Sequence, residues 1–274
     1  MWEFTDDTGQ AVRTDRVPVR VVAYARAGAA LDDLGIRPVA VYGSGHDDGR
    51  LDPAKSGALA AAGVPYLGPG KDLTEEALLA ASPDLVVDLT YDEKSPYALE
   101  RPRRVPLVAL SVGGAPLPAI LARFGELAAG LRDGTAPEPG GAAELAAAEA
   151  LLGAGAGAGG ARVLALSGAG SGQVHLARPE AWPELRHLAG LGVRLLDPGP
   201  GPGTGWLTTD WDHAAGLRPD LVLADNRANA QPVPEGRFAG VPVEPWNPET
   251  PPSPAAYAHF FRALAGRLST LSDG

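Results

Sequence analysis

The sequence predicts an α/β fold of two Rossmann-like lobes, each a parallel sheet covered by helices, joined through a helix. Three observations lead there. The phrase Pro-Asp-Leu-Val occurs at 83–86 and again at 219–222, each time after an Ala/Leu-rich stretch. Each copy runs into polar residues, Thr90, Tyr91 and Asp92 in the first and Asp225, Asn226 and Arg227 in the second. A proline that closes a helix, an aspartate and a short apolar run begin a buried strand. Two copies in one chain predict two similar halves. The second observation is the alternation of apolar runs with helical patterns on both sides of the chain midpoint, the signature of parallel sheets covered on both faces. The third is a composition shift: 133-DGTAPEPGG-141 and 153-GAGAGAGG-160 flank the helix-forming stretch 142-AAELAAAEALL-152. Each glycine beyond Leu152 costs a helix about 1 kcal/mol relative to alanine. The expected organisation is therefore a first lobe at 1–132, a linker and joining helix at 133–160, and a second lobe at 161–274.

In the first lobe, residues 3–13 read as a hairpin turning at Asp7-Thr8-Gly9. Strand 20-RVVAYA-25, a short helix ending at Gly35 and strand 38-PVAVYG-43 follow. A helix over 53–62, a short strand at Val64–Leu67 and a helix over 72–82 come next. Asp72 with Glu75 reads as a capping box for that last helix, with Thr74 as the competing cap. Strands 84–89 and 106–110 and a helix over 117–132 complete the lobe. In the second lobe, strands are expected at 162–167, 173–177, 193–196, 221–225 and 241–245, with helices at 180–190, 209–217 and 254–270. The segment 199-GPGPGTGW-206 reads as a loop.

The composition narrows the function. The 274 residues are 45% hydrophobic and 20% charged, a globular balance, and the formal charge of −10 argues against nucleic acid as a partner. The absence of cysteine removes disulfides, thiolate metal sites, iron–sulfur clusters and cysteine nucleophiles. The longest apolar stretch, 105–124, is broken by three prolines and Gly113-Gly114 and reads as strand, turn and helix. Gly168-Ala169-Gly170-Ser171-Gly172 follows a strand as a phosphate loop does, but a strand-like segment from Gln173 stands where a nucleotide site needs a helix. No nucleophile elbow, Walker loop or His-Glu-x-x-His is present, so no catalytic residue is assigned. The five histidines, at 46, 175, 187, 213 and 259, are scattered, and no metal site is assigned either.

The pieces 4-FTDDTGQAV-12, 18-PVRVVAY-24, LDDLGIRPVAVYG over 31–43, ALLAASPDLVV over 77–87 and WDHAAGLRPDLVLADNR over 211–227, with a closing helix after Ser253, carry a family likeness. Together and in this order they resemble the siderophore-type substrate-binding proteins of ABC importers. The resemblance implies the class III periplasmic-binding-protein fold and capture of a ferric siderophore, or a related iron chelate or corrinoid, in the cleft between lobes. It implies delivery to a membrane permease, no intrinsic cofactor, iron present only within the bound chelate, and a monomer. It also implies an extracytoplasmic, membrane-associated protein. Met1–Asp7 lacks a basic start and an apolar run, so a native start at Met1 would instead give a cytoplasmic relative, with a biosynthetic enzyme or small-molecule carrier as the alternative function. A metal-ion receptor is the third reading.

Ligands of open parallel sheets sit outside the carboxyl ends of the strands. A ferric chelate presents oxygens around the metal and an organic skirt, calling for fixed cationic donors and aromatic walls. Arg26 and Arg227 are the expected donors, because a guanidinium stays charged and can bond two oxygens at once. Tyr24, Tyr91, Trp206 and Trp246 are the expected walls, and Asn226 and Trp211 complete the candidate ligand-binding set. Most have a competing structural role: an ion pair to Asp225 or Asp92 for Arg227, helix capping or packing for Tyr24 and Arg26, a core edge for Tyr91, and core packing for Trp211 and Trp246, whereas Trp206, in a glycine- and proline-rich loop, has little core to join. Trp2 and Trp182 are expected to be packing residues.

Overall fold

The computed structural model describes residues 1–47, 49–132 and 140–272. Residues 133–139 of the expected linker lie outside the described residues. The chain divides into two compact units, Met1–Gly141 with Glu249–Ala256, and Ala142–Pro248 with Tyr257–Gly274.

The first unit opens with the antiparallel hairpin β1 (Trp2–Thr5) and β2 (Ala11–Thr14). Asp6 shapes its turn by accepting from the Thr8 and Gln10 N–H groups, and Gly9 supplies the positive φ of +81°. The elements that follow are β3 (Val21–Tyr24), α1 (Ala25–Asp33), β4 (Ala40–Gly43), α2 (Pro53–Ser56), β5 (Tyr66–Pro69), α3 (Glu75–Ala80), β6 (Leu85–Thr90), β7 (Leu107–Ser111) and α4 (Leu117–Leu131). The sheet has the order β5-β4-β3-β6-β7, and all neighbouring strands are parallel. Residues of β3, β4, β6 and β7 are buried throughout, as expected of strands covered on both faces. Helix α4 buries Leu117, Ile120, Leu121, Phe124, Leu127, Ala128 and Leu131, a stripe at helical spacing. Each large apolar side chain so buried contributes about 1.5–3 kcal/mol.

The second unit contains α5 (Ala142–Gly159), β8 (Arg162–Gly168), β9 (Val174–Ala177), α6 (Pro183–Gly190), β10 (Arg194–Leu195), β11 (Trp206–Thr209), α7 (Trp211–Gly216), β12 (Leu221–Asp225) and β13 (Val243–Trp246), and helix α8 spans Pro254–Ser272. Its sheet runs β11-β9-β8-β12-β13, with β10 also paired to β8. This sheet is mixed. Strands β8, β12, β13 and β10 pair in parallel, whereas β9 is antiparallel to β8 and β11 antiparallel to β9.

The repeated phrase does the same structural work in both units. Two residues beyond the end of α3 and of α7 stands a residue with left-handed backbone, Ser82 (φ +51°) and Arg218 (φ +52°), immediately before the proline. The aspartate then clamps the start of the adjacent central strand. Asp84 accepts the Arg20 N–H at 2.8 Å and donates its own N–H to Arg20 O, while Asp220 accepts the Arg162 N–H at 2.8 Å and donates to Arg162 O. A side chain and a backbone pair thus fix the register of β6 against β3 and of β12 against β8.

Several local expectations are corrected. Thr74, not Asp72, caps α3, its hydroxyl accepting from the Ala77 N–H, while Asp72 lies in a preceding 3-10 turn, Gly70–Asp72. Glu75 instead accepts the N–H groups of Arg103 and Arg104, a long-range pairing that local spacing does not encode. Helix α2 stops at Ser56, where Gly57 turns to φ +52°. The glycine run expected to interrupt the joining helix is helical through Gly159. The expected loop at Trp206 is the first residue of β11, because β9 offers it an unpaired edge.

Candidate functional site

In the first unit, three expected residues gather at the carboxyl ends of the parallel strands. Tyr24 ends β3, Arg26 lies in the first turn of α1, and Tyr91 follows β6 directly. Arg26 is buried; its Nε donates to Thr250 O at 3.0 Å and its Nη1 to the Tyr91 hydroxyl at 3.3 Å. Tyr97, absent from the expected set, joins them. Its ring meets Tyr91 edge-on at 4.9 Å and Tyr24 at 5.6 Å. Tyr24 is fully buried, whereas Tyr91 and Tyr97 keep 45% and 40% of their surface exposed, so these two present aromatic faces to solvent. Burial, then Glu249, raises the phenol of Tyr24 well above its ordinary value and raises that of Tyr97. Burial likewise pushes Tyr91 up to about 12, with Arg26 opposing. All three are neutral hydrogen-bond donors at physiological pH.

Beneath this platform lies a buried charge network. Lys55, whose side chain is 2% exposed, pairs with Asp47 at 2.5 Å and Glu249 at 2.9 Å. Tyr24 donates to the second Glu249 oxygen at 3.2 Å, and Asp47 accepts the Ser44 N–H. Burial depresses the Lys55 ammonium, but Glu249 and Asp47 more than offset this, so its pKa is raised and it stays charged. Sequence alone leaves no trace of the pairing of Lys55 with Glu249, which are far apart along the chain. The one local signal for Tyr97 was a second tyrosine in the polar stretch 91-YDEKSPY-97.

In the second unit, Trp206 and Trp246 come together with centroids 5.8 Å apart. Trp182, expected only to pack, completes the cluster at 4.8 Å from Trp206 and 5.6 Å from Trp246. Trp206 and Trp182 are half-buried; Trp246 is buried, and its indole N–H finds no acceptor among the described residues. Trp182 donates to Gly205 O. His175 lies beside Trp206 at 6.3 Å and hydrogen-bonds Thr208 through Nδ1. Arg227 follows β12 and grips Asp225 with Nε at 3.0 Å and Nη2 at 2.7 Å, so the ion pair weighed as its competing role is present. Asp225, fully buried, also accepts from the Ser167 hydroxyl at 2.7 Å. Asn226 is exposed and donates its N–H to Trp246 O. Trp211 stands apart from the other indoles, buried against Phe238 with its N–H on Gly170 O.

No family model matches the chain, and no curated protein matches it. Solved structures do. DesE, a ferric-siderophore receptor protein from Streptomyces coelicolor, is 28% identical with a TM-score of 0.83, and 98% of each chain is covered. The siderophore periplasmic binding protein from the fuscachelin gene cluster of Thermobifida fusca is 17% identical, covering 93% of this chain and 97% of its own, with a TM-score of 0.63. A periplasmic heme binding protein from Pseudomonas aeruginosa is 16% identical, covering 92% and 93%, with a TM-score of 0.61. The latter two likenesses concern the fold alone; the first joins whole-length fold agreement to appreciable sequence identity. In fold and along its whole length, the chain resembles the siderophore-type substrate-binding proteins of ABC importers.

Proposed function

We propose that this chain is the substrate-binding component of an ABC importer and captures a ferric siderophore or a similar iron chelate. The observation that carries this reading is the whole-length similarity, at a TM-score of 0.83, to a ferric-siderophore receptor. The chemistry of the strand ends agrees with it. Solvent-facing phenols at Tyr91 and Tyr97 and the indoles of Trp182 and Trp206 offer flat apolar surface with polar edges, suited to the organic skirt of a chelate. Arg26 and Arg227, each fixed by hydrogen bonds, are pre-oriented donors for chelate oxygens. Iron is cargo within the chelate rather than a resident cofactor, and the protein binds without catalysis. It acts as a monomer outside the cytoplasmic membrane and hands its ligand to a permease. Among the described residues no helix is long and apolar enough to cross a membrane.

The test is titration of the purified protein with ferric and iron-free hydroxamate and catecholate chelators and with a corrinoid, following tryptophan emission. Saturable quenching by at least one iron-loaded chelate is expected. Tyr97→Ala and Trp206→Ala should each weaken that binding by about tenfold, the worth of a good aromatic contact. No saturation by any of these ligands would overturn the reading.

A further inference from the structure

Beside the exposed tyrosines lies a pocket of about 310 Å³, lined by Ser44, Gly45, His46, Lys71, Tyr97 and Ala98. Among the described residues no carboxylate lines it, although the chain carries a net charge of −10. The acid next in sequence, Asp47, is turned inward: Lys55 and the Ser44 N–H occupy its two oxygens, and its side chain is only 3% exposed. Glu249 is taken up by the same lysine. Lys71, by contrast, forms no ion pair among the described residues and is exposed.

The position of its ammonium is set by the turn. A β-carbon at Gly45 would stand 3.1 Å from Lys71 Cε and 3.2 Å from Nζ, so the end of the lysine lies across a turn left open by glycine. The Tyr97 phenol, held protonated by burial and by Glu249, lines the same space beside Ser44, and the His46 ring adds a nitrogen. A cation and polar hydrogen-bonding groups around a space of this size, with no acid among the described lining residues, match a small oxyanion.

We infer that this pocket receives a carboxylate, carried as a pendant arm of the iron chelate, with Lys71 as the residue that selects for it and His46 and Tyr97 as its hydrogen-bonding partners. This rests on the receptor reading above and sharpens it: the chain would distinguish chelates that share an iron centre but differ in the charge of a side arm.

The experiment compares the ferric complex of a linear trihydroxamate ending in a free amine with that of the same chelator succinylated at the amine. Wild-type protein should bind the succinylated complex about tenfold more tightly at low salt, and the preference should shrink as salt rises. Lys71→Gln should abolish the preference while leaving affinity for the amine form within twofold. Equal binding of the two by wild-type protein, or a preference that survives Lys71→Gln, overturns the inference but not the receptor reading. If neither complex binds, the receptor reading is left to the wider titration above, and citrate titration followed through the Gly45 and His46 amide signals judges the pocket alone. Saturable shifts lost in Lys71→Gln sustain a carboxylate site for a free anion; no shifts in wild-type protein overturn it.

Discussion

Asp88 occupies the middle of β6, fully buried, and faces no cationic partner in an ion pair among the described residues. Its carboxylate instead holds backbone: Oδ1 accepts the Leu89 N–H at 2.7 Å, and Oδ2 accepts the N–H groups of Ala98 at 3.1 Å and Leu99 at 2.9 Å. Those bonds anchor the segment carrying Tyr97, whose own N–H is tied to Leu89 O. Burial dominates the titration and lifts the pKa from 3.8 to about 6, the backbone donors and Tyr42 opposing it. A carboxyl raised in the folded state favours folding fully below its unfolded pKa, and this contribution is lost as pH rises through the folded one. Between 3.8 and about 6, at 1.36 kcal/mol per unit, Asp88 should therefore remove roughly 3 kcal/mol of stability on going from acid to neutral pH. Asp88→Asn abolishes the titration. Its overall stability will be offset, because the amide nitrogen meets the Leu89 N–H in place of an oxygen, but the offset does not depend on pH. Five of the six tyrosines, at 24, 42, 66, 91 and 97, lie in the first unit. Urea unfolding followed by tyrosine difference absorbance therefore reports that unit, while tryptophan emission chiefly reports the second. The wild-type minus variant difference should fall by about 2 kcal/mol between pH 4 and pH 7 in the tyrosine signal alone. Parallel profiles would refute the argument that an unpaired buried carboxylate fastens this segment.

Other substitutions probe the same structure. Ser82→Gly and Arg218→Gly relieve left-handed backbone at equivalent helix ends, and each should stabilise its own unit by roughly 0.5–1 kcal/mol, read from the urea midpoints. Gly70→Ala would set a β-carbon 2.1 Å from Ala98 O, so a loss of more than about 2 kcal/mol is expected, with altered near-UV circular dichroism from Tyr97. Lys55→Ala leaves Asp47 and Glu249 buried without their cation and should cost about 3–5 kcal/mol in the same unfolding assay, whereas the Asp47→Asn, Lys55→Met, Glu249→Gln triple variant should recover much of it.

What was legible in the sequence was whatever depends on local pattern. The apolar runs of β3, β6, β8 and β12 are strands because buried parallel strands need little besides short, β-branched and aliphatic stretches closed by proline or glycine. The duplicated Pro-Asp-Leu-Val was informative because the proline and aspartate act within a few residues, stopping a helix and clamping the next strand. Tyr24, Tyr91 and Trp246 do stand at the carboxyl ends of parallel strands, as the rule for open sheets led one to look, but only Tyr91 of these is exposed; Tyr24 and Trp246 are buried, and Trp206 begins its strand. Tertiary structure decided the rest. It paired Trp206 with the free edge of β9, making the second sheet mixed, although the glycine- and proline-rich residues before it read as a loop. It brought Glu249 to Lys55 and Tyr97 to Tyr24 and Tyr91, and it added Trp182 to the indole cluster while holding Trp211 in the core. Most of these contacts join residues distant along the chain, and their free energy comes from burial and charge pairing that exist only after the strands have been assembled. A sequence pattern specifies which way a side chain faces on its own element; the packed fold alone specifies what it meets there.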